Sequence, residues 1–347
     1  MSRCFAFVLA LLLWSSAACR TLGVPLEELP DLPIALMYWE PEAARRRAEL
    51  LDRRPAEATS RPGVARLKSL GDYLSVPARQ QSLADQLARW PGGLSLYYPR
   101  SGTLRQIAAV PPGARPLAWS PDRRRLLFTD ARVSGQSQLY EYDLQKDEVR
   151  PLTWGSQAHS RGDYGPDDRL VYAAVERAGS SLETRLVVTG TRGAERRVLS
   201  KGGLFDTLRF APDGGALVYV QPDFSSSRRS QRAAPLVLVS RSLESDSQER
   251  ILARGKHPVF TPDGGWIVYS AAVRDGFRLW RMRPDGSGRT PIGAGSRDEL
   301  SPAVSPDGRF IAYIAKEGGT NSLFVRRLDG SGDRLLLRDG AADWPVW

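Results

Sequence analysis

Cysteine and histidine are almost missing from this 347-residue chain, which has two of each: Cys4, Cys19, His159 and His257. Both cysteines fall within the first twenty residues, so the remainder has no disulfide framework and must rely on a packed core. No HExxH, paired-cysteine or His-rich pattern offers a metal centre, and no Gly-x-Ser-x-Gly turn presents a serine nucleophile. Each histidine reads as a turn residue just before a strand. The 32 glycines follow turns and form no phosphate-binding loop. A non-enzymatic protein without cofactor or metal is therefore expected. Lysine is also scarce: of 49 basic residues all but five are arginine, and acids are interspersed among them. The net charge of +10 thus reads as a compositional bias with solvated arginines, and no nucleic-acid partner is expected.

What the chain has in quantity is one turn. Trp119-Ser120-Pro121-Asp122, Tyr164-Gly165-Pro166-Asp167, Phe210-Ala211-Pro212-Asp213, Phe260-Thr261-Pro262-Asp263 and Val304-Ser305-Pro306-Asp307 each follow an apolar run, with prolines 45, 46, 50 and 44 residues apart. Proline presets the first corner, aspartate bonds nearby backbone, and glycine at 214, 264 and 308 takes angles other residues resist. After each turn come β-rich runs such as Leu217-Val218-Tyr219-Val220, then third and fourth runs such as Leu279-Trp280-Arg281-Met282 and Arg334 to Leu337. Four short strands at a period in the forties is the pattern of propeller blades. An Asp-rich calcium loop fits poorly, because the acid clustering such loops require is missing.

The last residues, Asp343-Trp344-Pro345-Val346-Trp347, match the opening of a sixth unit and lack its continuation. A lone strand would leave an open edge. The missing strands are found at the other terminus: Ile34 to Glu42, a strand with its exit, then Leu94 to Tyr98 and Leu104 to Ala108. The fold expected is all-β, a six-bladed propeller over residues 33–347 closed by pairing its C-terminal strand with N-terminal ones, with about 46 residues per blade. Residues 41–92 carry helix formers and apolar stripes (Val64, Leu67, Leu70, Leu74; Leu83, Leu87, Trp90), and read as a helical insertion or as a separate helical domain.

Residues 1–18 carry Arg3, an apolar stretch and small residues before Cys19, the layout of a secretory signal; 19–32 reads as a linker. Cys19 after Ala17-Ala18 is similar to the lipidation site of bacterial lipoproteins, although Ser16 stands where leucine is preferred; simple cleavage is the alternative. Arg20 after the cysteine resembles outer-membrane sorting.

The units of the form apolar-x-Trp/Phe-Ser-Pro-Asp-Gly-Arg-x-Ile-x-Tyr, followed by Leu-Trp/Tyr and an Asp-Gly turn, resemble the PD40 (WD40-like) repeats of the TolB propeller family over residues 110–347. The second unit departs from them at Gly165 and Asp168. The resemblance implies a periplasmic propeller that binds a peptidoglycan-associated (Pal-like) lipoprotein of the Tol-Pal envelope system; similar repeats also form accessory propellers of some peptidases. The family's separate N-terminal α/β domain has no room here, and Cys19 implies a lipid anchor, on the outer membrane, where the family is soluble.

The positions four before each reference aromatic, Arg115, Ser160, Asp206, Lys256, Leu300 and Asp343, are expected to ring the channel mouth. With Arg228, Arg229 and Arg232 they form the expected partner-binding face of a monomer. Three classes stay open: an envelope scaffold, a channel that binds an anionic glycan or peptide, and a propeller lyase or hydrolase.

Overall fold

A computed structural model describes residues 23–45 and 92–347, apart from 112, 131–136, 156, 179–180, 191–194, 202, 224–233, 245–247, 294, 296, 318–319 and 339. The expected signal segment, Cys19, nearly all of the 41–92 insertion, Arg228, Arg229 and Arg232 lie outside the described residues. Only 41–45 of the insertion are seen, as helix, with Ala43 and Ala44 buried. Among the described residues no helix is long and apolar enough to cross a membrane.

The described chain is almost entirely strand. β1 (Ile34–Trp39), β2 (Gly92–Tyr98) and β3 (Thr103–Gln106) come first. They are followed by β4 (Arg115–Trp119), β5 (Arg125–Asp130), β6 (Gln138–Asp143) and β7 (Glu148–Pro151), and by β8 (Ala158–Tyr164), β9 (Arg169–Ala178), β10 (Ser181–Gly190) and β11 (Arg197–Lys201). Then come β12 (Asp206–Phe210), β13 (Ala216–Pro222), β14 (Leu236–Ser242), β15 (Arg250–Phe260), β16 (Ile267–Val273), β17 (Gly276–Met282) and β18 (Thr290–Pro291). The chain closes with β19 (Glu299–Val304), β20 (Phe310–Glu317), β21 (Thr320–Arg327), β22 (Arg334–Leu337) and β23 (Ala341–Val346). Every pairing is between antiparallel neighbours, and the last strand pairs with the first: Met37 opposes Asp343 and Trp39 opposes Ala341, giving the sheet order β23-β1-β2-β3. The architecture is of the β-propeller type.

Alternation along the strands builds the core. In β1, Ala35, Met37 and Trp39 pack against Leu126 and Phe128 of β5, while Ile34 and Leu36 on the opposite face pack against Phe310, Ala312 and Ile314 of β20. A strand buried on both faces carries apolar residues at every position, which is why these runs show no polar alternation. Sheet by sheet the same arrangement recurs through Val171 with Leu217, Val220 with Tyr269, and Val268 with Tyr313. Each fully buried Leu, Ile, Val or Phe contributes about 1.5–3 kcal/mol by leaving water. The innermost strands touch in the order β4, β8, β12, β15, β19, β23, and β23 in turn touches β4.

The repeated turn has a clear bonding scheme at Ser305. Its carbonyl accepts from Gly308 N (2.9 Å), its Oγ accepts from Phe310 N (2.9 Å) and donates to Asp307 Oδ1 (2.6 Å), and that same carboxylate oxygen accepts from Arg309 N (3.1 Å). Gly308 sits at φ 73°. The repeated aspartates therefore face their own turns.

Three details differ from the sequence reading. The fourth strand expected at Arg250 to Leu252 does not end there; β15 runs on to Phe260 and joins two units in one seven-stranded sheet, with Gly255 at φ 154° paired opposite Ala271. The fourth strand of the first unit is β3, which ends at Gln106 and not at Ala108. The histidines precede no strand: His159 lies in β8 and His257 in β15, because the inner strands begin earlier than the Pro-Asp spacing alone indicates.

Residues 23–32, expected as a linker, are seated on the sheets. Val24 and Leu29 are fully buried beside Phe310 and Val325. Val24 N donates to Gly332 O (3.2 Å), Arg334 Nη1 donates to Val24 O (2.9 Å), Arg100 Nε donates to Leu29 O (2.6 Å), and Glu28 pairs with Arg327 at 2.9 Å.

Candidate functional site

An open cavity lies where the inner strands converge. Every inner strand breaks register once: between Pro116 and Ala118, Ser160 and Gly162, Asp206 and Arg209, Lys256 and Val259, Leu300 and Ala303, and on β23 opposite Ala35 and Met37. Such a bulge re-aims a side chain out of the pleat. At five of the six sites the re-aimed residue is left-handed without being glycine: Arg161 (φ 54°), Thr207 (44°), His257 (54°), Ser301 (51°) and Trp344 (48°). At the sixth site the residue in the same column is Pro116, which stays paired with Phe128 and whose ring forbids that conformation, and Leu117 is the unpaired residue. All six residues line the cavity. Left-handed backbone costs an L-residue about 1–2 kcal/mol, and strain of this type clusters where side chains are held for function.

The expected mouth residues divide. Arg115 and Asp206 line the cavity. Lys256 is turned aside, with Nζ 3.9 Å from the Phe277 ring centroid, and Asp343 accepts a hydrogen bond from Asn321 Nδ2 (3.0 Å). Ser160 and Leu300 sit one residue before the bulge and do not line the cavity. The residues that sequence reasoning passed over, Arg161, His257 and Trp344, are each one position further along. The bulge had no local signature, but aligning the six strand starts would have placed all three in one column.

Three guanidinium groups, Arg115, Arg161 and Arg209, face the cavity against one carboxylate, Asp206. Arg161 Nε lies 2.6 Å from Asp206 Oδ1, which also accepts from Thr207 N (2.8 Å). Asp206 keeps 42 % of its side-chain surface exposed. Enclosure by protein pushes its carboxyl up, but Arg161, Arg115 and His257 outweigh it and hold the group below the usual carboxylate range. Arg115 stacks on Trp344 at 4.0 Å. Behind them Asp163 is buried, which raises its pKa to about 6 although Arg209 and the Phe210 N–H favour its charge. His257 is pushed down to about 3, chiefly by burial, while Asp206 pulls the other way; its Nδ1 accepts from Ser301 N (3.2 Å). A neutral imidazole, a fixed carboxylate and an excess of guanidinium suit binding of an anionic group. Among the described residues no cluster of three His, Cys, Asp or Glu could hold a metal ion.

No protein-family model matches the chain. An uncharacterized protein of Agrobacterium fabrum is 23 % identical over 248 residues, covering 68 % of this chain and 79 % of that protein. The Tol-Pal system protein TolB of Anaeromyxobacter dehalogenans is 32 % identical over 114 residues, which is 32 % of this chain and 26 % of TolB. The match thus spans about a quarter of that relative. The crystal structure of TolB from Acinetobacter baumannii superposes with a TM-score of 0.62 at 14 % identity over 93 % of this chain and 68 % of that one, a likeness of fold. The expectation of a non-enzyme is corrected by a solved enzyme of similar fold, hydrazine synthase of Kuenenia stuttgartiensis, which superposes with a TM-score of 0.62 at 10 % identity over 92 % of this chain and 47 % of that one. Two further similar structures are also enzymes. One is an oligogalacturonate lyase in complex with manganese (TM-score 0.45, 18 % identity, 63 % of each chain). Another is a puromycin hydrolase (TM-score 0.48, 16 % identity, 70 % of this chain and 42 % of that one). The fold itself does not exclude catalysis.

Proposed function

We propose that this chain is a TolB-like, six-bladed propeller of the bacterial cell envelope, and that the face carrying the cavity mouth binds another envelope protein. The observation that carries the reading is the column of re-aimed residues, Arg161, Thr207, His257, Ser301 and Trp344, strained into one cavity with Arg115 and Asp206. The contact of β23 with both β1 and β4 supports closure into a ring of six, and the TolB relatives support a Tol-Pal-related interaction role, with a Pal-like lipoprotein as partner. In this reading residues 1–18 are removed, Cys19 is lipidated, residues 33–347 form the propeller with 41–92 inserted, and the monomer faces the periplasm from the outer membrane. Arg228, Arg229, Arg232, Lys256 and Asp343 extend the binding face. A second reading, an anionic glycan or peptide held in the channel, is favoured by the three arginines set against Asp206.

The test is crosslinking and pull-down from intact envelopes, comparing wild type with Cys19→Ala and with charge reversals at Arg115 and Asp206. Recovery of a Pal-like lipoprotein from the membrane fraction, lost with the reversals, is expected. Capture that survives the mouth reversals and fails with reversals on the opposite face would place binding elsewhere; soluble wild-type protein would remove the anchor.

A further inference from the structure

Trp154 is the most exposed large apolar side chain among the described residues, at 77 %, yet its neighbours Thr153 and Gly155 are held by hydrogen bonds. The loop joins β7 to β8, and the buried Gln138 organises it: Nε2 donates to Gly155 O (3.2 Å) and Gln157 O (2.7 Å), and Oε1 accepts from Thr153 Oγ1 (2.9 Å). Leu139 N donates to Thr153 Oγ1 (2.9 Å), and His159 Nδ1 lies 3.1 Å from Gln138 Oε1. An indole this exposed, carried between the held residues Thr153 and Gly155, offers large aromatic area on backbone that loses little entropy when covered.

Its place in the fold connects it to the mouth. A connection from an outer strand to the next inner strand lies at the end where that inner strand starts, so Trp154 is on the mouth side. Arg161 lies seven residues further along, at the bulge of β8, and Arg115 is on β4, which touches β8. At about 3.4 Å per extended residue, a segment of roughly seven residues reaches from Trp154 to these guanidinium groups. Arg115, already stacked on Trp344, is held in one orientation.

We propose that the partner docks through an extended acidic peptide segment laid across the β4–β8 sector, with an apolar residue on Trp154 and carboxylates at Arg115 and Arg161. This rests on the reading of the mouth face as the binding face. Charge complementarity selects the acidic segment, and an exposed indole outside the cavity selects a ligand with an apolar side chain over a sugar acid alone.

The experiment is fluorescence anisotropy with the full chain in detergent and a labelled peptide of glutamate, glycine and leucine about seven residues long. Saturable binding is expected, weakened about tenfold or more by Trp154→Ala and by Arg115→Gln, and by added salt. Trp154→Ala changes an exposed side chain, and unchanged thermal unfolding of both variants confirms that they are folded. Equal affinity for the glutamine analogue, indifference to both substitutions, or tighter binding of oligogalacturonate would overturn the proposal. Absence of peptide binding while mouth reversals still abolish the envelope pull-down would sink this inference alone; a pull-down indifferent to the reversals would sink the underlying reading.

Discussion

Glu299 and Arg326, 1 % and 2 % exposed, meet at 2.7 Å between Oε1 and Nη2. The pair is fully bonded: Glu299 Oε2 accepts from Leu279 N (3.0 Å) of the neighbouring unit, while Arg326 reaches Ile292 O (2.7 Å) and both oxygens of Asp333 (2.7 Å each). It therefore ties β19 and β21 to the unit before them. Arg326→Met should cost about 3–5 kcal/mol, because it leaves a buried carboxylate uncompensated. The double variant with Glu299→Leu should recover part of that loss. Urea unfolding midpoints test this, and a single-variant loss below about 1 kcal/mol would show the pair to be dispensable.

The turn at Ser305 should be sensitive at two atoms. Gly308→Ala forces a β-carbon into the left-handed region at a cost of about 1–2 kcal/mol. Ser305→Ala removes the acceptor for the buried Phe310 N–H, at about 1–3 kcal/mol. The same two substitutions at Gly264 and Ser120 serve as an internal comparison by thermal unfolding.

His257 should stay neutral well below the ordinary imidazole range. Below pH 6.5 the unfolded chain takes up a proton that the folded chain refuses until about pH 3, so this group's contribution to stability is full above 6.5 and is lost as the pH falls through that window. Asp163 runs the opposite way: raised from 3.8 to about 6, its contribution is full below 3.8 and is lost as the pH rises through 6. NMR shifts of the His257 ring should be flat from pH 8 to about 4.5. A midpoint near 6.5 would mean that the imidazole is solvated.

Residues 46–91 should be replaceable. Trp39 and Gly92 are paired neighbours in the β1–β2 register, so a short turn can join the two strands. A variant in which a Gly/Asn linker follows residue 45 should retain cooperative unfolding with a midpoint shifted by a few degrees. Loss of folding would assign the removed stretch to the core.

The architecture was readable because its cause is local and repeated. Proline, aspartate and glycine mark each turn, and apolar runs such as Leu217 to Val220 mark strands covered on both faces. The pairing of β23 with β1 was readable from the unmatched half-unit at Asp343 to Trp347. The cavity was less legible. The mouth positions come from counting back from an aromatic; two of them, Arg115 and Asp206, line the cavity, and Arg161, His257 and Trp344, which also line it, each stand one residue later. A bulge adds a residue without any composition of its own, and here it uses five different residue types. Nor does spacing distinguish β15, where Gly255 carries one strand through two units. Trp154 gave no signal because nothing in its sequence neighbourhood separates an exposed indole from a packed one; the decisive residue is Gln138, sixteen positions earlier.

The seating of residues 23–32 has a directional consequence. Val24 is bonded at Gly332 and Glu28 O accepts from Arg309 Nη2 (3.1 Å), so the segment lies at the end where the Pro-Asp and Asp-Gly turns cluster. The antiparallel path puts those turns at the opposite pole from the bulged strand starts. Whatever is joined to the chain upstream of Gly23 therefore leaves from the far pole. A tether there would act as a stalk beneath the molecule and hold the cavity outward, toward whatever approaches from the other side.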